Sequence, residues 1–128
     1  MQEKIKKWGL VFLWAGLIFF LSHQPGLKSG LPNEWDFVLR KLAHISEYFV
    51  LTLFLINALK EHCLSKKKII ILAVLLAFAY ACSDEYHQTF INAREGAARD
   101  VLIDSGGILL AVYFKNFSLG RKKKKMVE

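Results

Sequence analysis

Side chains that can do acid–base chemistry gather at the ends of apolar runs in this chain. The run from Ile69 to Cys82 carries no charge and leads directly into Ser83-Asp84-Glu85-Tyr86-His87-Gln88. Carboxylates and imidazoles are common catalytic acids and bases, and near hydrocarbon they are costly enough to indicate a function. Two further apolar segments hold similar groups, His44 and Glu47 in one and Asp100 and Asp104 in the other. These groups would form one site if the three segments meet.

The composition is typical of an integral membrane protein with a single domain. Of the 128 residues 54% are hydrophobic, and the mean hydropathy is +0.29. An ordinary soluble domain is about 45–50% apolar, and here the apolar residues stand in blocks instead of at amphipathic spacing. The net charge of +7 is therefore interpreted first through membrane topology and contact with anionic lipid. We expect membrane lipids and not nucleic acid as partners.

The apolar blocks predict an all-α bundle of four transmembrane helices. The predicted spans cover about residues 5–22, 42–59, 69–88 and 99–117, each close to the roughly 20 residues that a bilayer needs. Residues 1–120 form one membrane domain in this interpretation, and residues 121–128 form a basic cytoplasmic tail that we expect to be disordered. Glycine and proline predict a loop from Gly26 to Trp35. The segments 61–68 and 90–96 are predicted as the other two connections.

The distribution of lysine and arginine predicts the orientation. Four spans put both termini and the 61–68 turn on one side, and most of the 18 basic residues lie there. Most of the 11 acidic residues fall on the other side. The positive-inside rule then makes both termini cytoplasmic. The chain is expected to be a multipass protein of the cytoplasmic membrane.

This threading brings the polar ends of three spans to one level near the outer surface. Helical spacing places His44, Glu47 and Tyr48 on one face, and Asp84, His87 and Gln88 on another. Glu85 is expected to face away from Asp84 toward solvent. The arginines Arg94 and Arg99 would pair with carboxylates or with an anionic ligand. The candidate catalytic residues are His44, Glu47, Asp84 and His87, and the candidate ligand-binding residues are Tyr48, Glu85, Gln88, Arg94, Arg99, Asp100 and Asp104.

Three ordered motifs resemble those of a known family. Arg40 to Tyr48 is similar to its K-x-x-H-x-x-E-Y helix, Ser83 to Arg94 to its D-E-x-x-Q-x-F followed by arginine, and Asp100 to Gly107 to its D-x-x-x-[ND]-x-x-G helix. The exit from span one, Leu21 to Pro25, also fits. The chain thus resembles the VanZ-like family of small bacterial membrane proteins, whose namesake is associated with low-level resistance to the glycopeptide teicoplanin. The resemblance implies a bacterial location and a phenotype, but no reaction.

Several functions remain open from the residues. One is an outward-facing pocket that recognises an envelope precursor or a glycopeptide in cell-envelope processes or antibiotic resistance. The alternative is a membrane-embedded enzyme acting on a lipid-linked envelope substrate by acid–base or metal-assisted chemistry. The spacing His44-x-x-Glu47 matches no established zinc motif, so neither a metal nor a cofactor is predicted. Ion-coupled transport with these acids as proton carriers is less favoured for a monomer, because the chain has four short spans and no inverted repeat, but an oligomer would reopen it. A purely structural membrane subunit is the remaining alternative.

Overall fold

The computed structural model describes residues 1–24, 30–91 and 98–125, with the side chains of the last helix described as far as Asn116. Within these residues it has four α-helices, α1 (Gln2–His23), α2 (Asn33–Leu59), α3 (Lys66–Gln88) and α4 (Ala98–Lys125). The predicted all-α class is therefore confirmed. Helices α1, α2 and α3 are each long and apolar enough to cross a membrane, as expected for a membrane protein.

Helix α2 begins earlier than the sequence predicts. Its first residue is Asn33, directly after Pro32, so the predicted loop to Trp35 overlaps its first turn. Glu34 and Asp36 lie in that turn, where negative charge is stabilised by the positive end of the helix dipole. This polar turn extends α2 beyond the apolar block from which the span near residue 42 was predicted.

Helix α4 continues through the basic segment that was expected to be disordered. It ends at Lys125, so residues 121–125 are helical. Lysine and arginine have high helix propensity, and positive charge is favourable at the carboxyl end of a helix. These two local effects support a helical extension of the predicted fourth span, whereas residues 126–128 lie outside the described residues.

Helices α2 and α3 form the centre of the bundle. Each of them contacts the other three helices, and α2 packs most extensively against α4. Helices α1 and α4, over their described residues, do not contact each other. They therefore flank the central pair.

Side-chain contacts define the direction of α1 against the central pair. The indole N–H of Trp14 donates a hydrogen bond to the carbonyl of Glu47 over 2.9 Å, and Trp8 near the start of α1 bonds His62 just after α2. Helices α1 and α2 are therefore antiparallel. The Tyr80 hydroxyl donates to the carbonyl of Ala15, and the carboxyl ends of α1 and α3 also meet, so these two helices are parallel.

Helices α2 and α4 run parallel. Lys41 forms an ion pair with Asp100 near their amino ends, and Lys115 donates a hydrogen bond to the Asn57 side chain, 3.0 Å away, toward their carboxyl ends. The amino ends of α2 and α4 thus lie at the same end of the bundle as the carboxyl ends of α1 and α3. We call this end the polar end, because three of the four helices carry buried acids there.

The opposite end of the bundle joins the start of α1 to the α2–α3 turn. Lys7 hydrogen-bonds Glu61, and this bond lowers the pKa of the Glu61 carboxyl. Cys63 in the same turn is a free, exposed thiol. Cys82 near the end of α3 is also free and exposed.

The α2–α4 contact depends on a glycine. A Cβ atom added to Gly107 would overlap the carbonyl oxygen of Ile45 and lie 3.1 Å from its carbon. Only hydrogen at this position lets the two backbones approach so closely, as small residues do between membrane helices. Ala111, one turn later, is completely buried. The small residues of α4 therefore face α2.

The outward surface of the bundle is largely apolar. Helices α1, α3 and α4 each expose large hydrophobic side chains along their length, including Phe12, Leu13, Phe20, Leu75, Phe78, Leu102, Leu109 and Phe114. A soluble monomer rarely exposes so much contiguous apolar surface. The pattern is that of helices whose outer faces meet lipid.

Candidate functional site

Three helices bring an imidazole and two carboxylates together at the polar end. His44 of α2, Glu85 of α3 and Asp104 of α4 each place one nitrogen or oxygen within 4.8 Å of the others. His44 Nδ1 lies 3.0 Å from Asp104 Oδ1. Asp104 is fully buried, and Glu85 is 4% exposed. Ionisable groups from distant parts of the sequence therefore share one enclosed position.

The close α2–α4 approach positions the His44–Asp104 contact. Ile45 follows His44 directly, and its carbonyl touches Gly107, which lies one helical turn from Asp104. Residues three or four apart on a helix share a face. The same packed seam thus fixes both the backbone contact and the hydrogen bond.

A second group of hydrogen bonds surrounds Asp84. The Tyr48 hydroxyl donates to Asp84 Oδ2 over 3.3 Å, and Gln88 Nε2 donates to the same oxygen over 3.3 Å. Gln88 Nε2 also lies 3.3 Å from the hydroxyl oxygen of Ser22. This network connects α1, α2 and α3. We refer to the residues of both groups, His44, Tyr48, Asp84, Glu85, Gln88 and Asp104, as the polar cluster.

Two carboxylate oxygens of the polar cluster retain unused acceptor capacity. Asp84 Oδ1 and Asp104 Oδ2 are buried, and neither accepts a hydrogen bond within the described parts of the chain. An ionised carboxylate can accept about four hydrogen bonds, and buried polar atoms are normally satisfied. These oxygens are therefore suited to a donor or a cation supplied from outside the cluster.

Lys41 and Asp100 form an ion pair one turn closer to the helix starts. The lysine amine contacts Asp100 Oδ1, and both side chains are mostly buried. Lys41 was not predicted as a site residue, although it lies about one helical turn before His44, as Asp100 lies about one turn before Asp104. These spacings of three and four residues on parallel helices were the available signal.

Of the two predicted arginines, only Arg99 lies within the described residues, and it does not form part of the polar cluster. Arg99 is exposed, and the ion pairs found among the described side chains do not include it. Arg94 lies outside the described residues. Asp100 pairs with Lys41 in place of an arginine.

His87 belongs to a different contact from the one predicted. Its Nε2 lies 3.1 Å from Nδ1 of His23, and its ring stacks on Phe19 with centroids 4.7 Å apart. The side chain therefore faces α1 and not His44. His23 and Ser22 were missed as candidates, although both are polar residues at the end of the apolar first segment.

Glu85 and Glu47 also differ in their placement. The expectation that Glu85 faces solvent is wrong, because it is buried with His44 and Asp104. Its position one residue after Asp84 turns it toward α4, which packs on that side of α3. Glu47 is half-buried, close enough to His44 for an electrostatic interaction.

Comparison with known proteins identifies the family of this chain. The model of the VanZ/LLP1 family matches residues 7–117, which include the entire polar cluster and the α2–α4 seam. No curated protein and no solved structure matches the chain. With most of its length covered by that match, the chain belongs to the VanZ/LLP1 family.

Proposed function

We propose that the protein is a multipass protein of the bacterial cytoplasmic membrane, with four spans and both termini in the cytoplasm. Helix α4 is not among the helices whose length and composition suit a membrane span, but its acids Asp100 and Asp104 are buried. Its outward residues include the exposed Leu102, Leu109 and Leu110. A buried polar face with an apolar outer face is what a membrane helix in a bundle needs. The lysine-rich ends then face the cytoplasm by the positive-inside rule.

Cysteine labelling tests this topology. In a Cys82→Ala background, Cys63 is expected to react with a membrane-impermeant maleimide only after the cells are permeabilised. A second variant carries Leu31→Cys in a background with Cys63→Ala and Cys82→Ala. Its new cysteine is expected to react in intact cells, because Leu31 is exposed at the polar end. Labelling of Cys63 in intact cells would refute the proposed orientation.

The function we propose is recognition of an envelope precursor or a glycopeptide by the polar cluster. The supporting observation is the pair of buried acceptor oxygens, Asp84 Oδ1 and Asp104 Oδ2, without donors among the described residues. Amines and sugar hydroxyls are donors of the required kind. The resemblance to the VanZ-like family extends this proposal to teicoplanin-type glycopeptides and to resistance.

A ligand would reach the cluster from the side of His44. The side chain of His44 is 13% exposed, whereas that of Asp104 is fully enclosed. A donor group that displaces His44 from Asp104 would gain the aspartate oxygens. Entry therefore requires a local rearrangement of His44 and leaves the bundle intact.

Replacement of Asp84 tests the recognition role. Asp84→Asn keeps the shape of the side chain but removes the charge, and we expect it to abolish any teicoplanin resistance conferred by the protein while its membrane abundance is unchanged. The matched control is Asp36→Asn, which changes another buried aspartate of the polar end that pairs with Arg40 instead. Binding of teicoplanin or of a lipid II-like precursor to the purified protein provides the direct measurement. Full resistance and full binding in Asp84→Asn would contradict the proposal.

The alternative function is an enzyme that acts on a lipid-linked envelope substrate. The observation that favours it is the His44–Asp104 hydrogen bond, because a carboxylate that orients an imidazole is a common arrangement for a general base. Turnover of a radiolabelled envelope lipid extract by the purified protein, lost in His44→Ala with folding intact, would favour catalysis over recognition.

A further inference from the structure

We propose that His44, Glu85 and Asp104 bind a first-row divalent metal ion. This site goes beyond the recognition role and does not depend on it, because it rests on the positions of three side chains. Each of the three contributes one donor atom, and these atoms all lie within 4.8 Å of one another. The residues come from three helices, so the geometry is a product of the tertiary structure.

The distances between the three donor atoms would suit a small ion if Glu85 moved closer to the other two residues. An ion with bonds of about 2.1 Å holds tetrahedral ligand atoms about 3.4 Å apart. His44 Nδ1 and Asp104 Oδ1 are already 3.0 Å apart. Because the donor atoms lie within 4.8 Å of one another, Glu85 has to approach by up to about 1.4 Å, which a glutamate side chain achieves by rotation about its own bonds.

A second observation points to a ligand at this position. Asp104 is completely buried, and its Oδ2 has no hydrogen-bond partner within the described residues. A buried carboxylate oxygen normally accepts a hydrogen bond or coordinates a metal. An ion bound by the Asp104 carboxylate would give Oδ2 the partner that it lacks among the described residues. A neutral His44 that binds the ion through one ring nitrogen carries its proton on the other ring nitrogen.

The donor set indicates which ions fit. One imidazole nitrogen and two carboxylate oxygens suit Zn²⁺ or Mn²⁺, whereas Ca²⁺ and Mg²⁺ prefer oxygen ligands alone. An ionised pair of carboxylates also balances the charge of a divalent ion. Three protein ligands leave at least one coordination position for water or for an external group.

Neighbouring hydrogen bonds would hold the ligands in place. Asp84 directly precedes Glu85 in the same turn of α3, and its Oδ2 accepts hydrogen bonds from Tyr48 and Gln88. The Gly107–Ile45 contact fixes the separation of α2 and α4. Such supporting contacts orient the ligands of metal sites.

Zinc binding to the purified full chain tests the site. Protein in detergent, stripped with a chelator and dialysed, is titrated with Zn²⁺ alone, without any drug or lipid precursor. We expect one ion per chain, and at least about a tenfold loss of affinity in Glu85→Gln and in Asp104→Asn, since even the loss of supporting groups costs 10–100-fold at metal sites.

The control variant separates this site from other zinc-binding groups. His23→Gln disrupts the His23–His87 pair, the other place where histidine nitrogens approach closely, and should bind Zn²⁺ as the native chain does. Zinc K-edge absorption of the native protein should show nitrogen and oxygen ligands at about 2.0–2.2 Å and no sulfur. This measurement needs no variant, so poor folding of Asp104→Asn cannot leave the question open.

Three outcomes would overturn the proposal. They are the absence of stoichiometric binding by the native chain, a sulfur ligand from Cys63 or Cys82, and unchanged affinity in folded Glu85→Gln and Asp104→Asn. Because no envelope ligand is present, a failure here leaves the recognition role standing. A protein that binds Zn²⁺ but neither teicoplanin nor lipid precursor would instead contradict the recognition role alone.

Discussion

Replacement of Gly107 by alanine should force α2 and α4 apart at the position where they hold the polar cluster together. The added Cβ would overlap the Ile45 carbonyl oxygen and lie 3.1 and 3.2 Å from the carbonyl carbon and the Cα. These are backbone atoms, so no side chain can rotate away. Restoring a separation of about 3.5 Å requires the helices to move apart by roughly 1 Å.

The cost of this movement can be worked out from the contacts. Overpacking of a well-packed interface costs about 1–3 kcal/mol. A shift of about 1 Å would also lengthen the 3.0 Å His44–Asp104 contact beyond hydrogen-bonding distance, and such bonds between membrane helices contribute about 0.6 kcal/mol. Alanine gains about 1 kcal/mol of helix propensity over glycine, which offsets part of this cost.

Gly106→Ala is the matched control, because it makes the same chemical change one residue away. A Cβ at Gly106 would meet no atom within 4 Å, so this variant receives the propensity gain without the clash. We expect the free energy of unfolding of Gly107→Ala to lie about 2–3 kcal/mol below that of Gly106→Ala.

The assay is reversible unfolding of the purified protein from detergent micelles into SDS, followed by tryptophan fluorescence. Trp14 reports on the bundle, since its indole bonds the Glu47 carbonyl in α2. Equal stability of Gly106→Ala and Gly107→Ala would refute the close α2–α4 packing. It would also remove the reason given for the His44–Asp104 alignment.

Two further changes at the polar end have predicted effects in the same unfolding assay. Lys41→Met should lower the free energy of unfolding by about 3 kcal/mol, because it leaves the mostly buried Asp100 carboxylate without its cation. The double variant Lys41→Met/Asp100→Leu should recover most of that loss. A double variant as unstable as Lys41→Met would contradict this. Tyr48→Phe should cost about 1 kcal/mol by removing one donor to Asp84. Unchanged stability in Tyr48→Phe would show that this 3.3 Å contact contributes nothing measurable.

Local sequence patterns were sufficient for some features of the fold. Charge-free runs of about membrane length predict the helices, and α1 and α3 begin and end within a few residues of the predicted spans. The earlier start of α2 and the later end of α4 were missed, because the prediction followed hydrophobicity. Capping, dipole and propensity effects extend a helix into polar sequence.

Several partners at the polar end could not have been predicted from spacing along a single helix. Periodicity places His87 on the same face as Asp84, but α1 occupies that side of α3 and pairs His87 with His23. Glu85 was expected in solvent because its neighbours along the helix do not cover it. It is covered by α4, a helix distant in sequence.

The amino-acid sequence by itself determined the helical class, the apolar segments and the grouping of ionisable residues at one end, because these follow from local hydrophobicity and from the alternation of helix direction. Tertiary structure alone decided which of those residues meet. A hydrogen at Gly107 in place of a methyl group sets how closely α2 and α4 pack, and that distance determines that Asp104 reaches His44 beside Glu85. Contacts of this kind depend on ångström-scale separations between helices, which hydrophobic patterns do not specify.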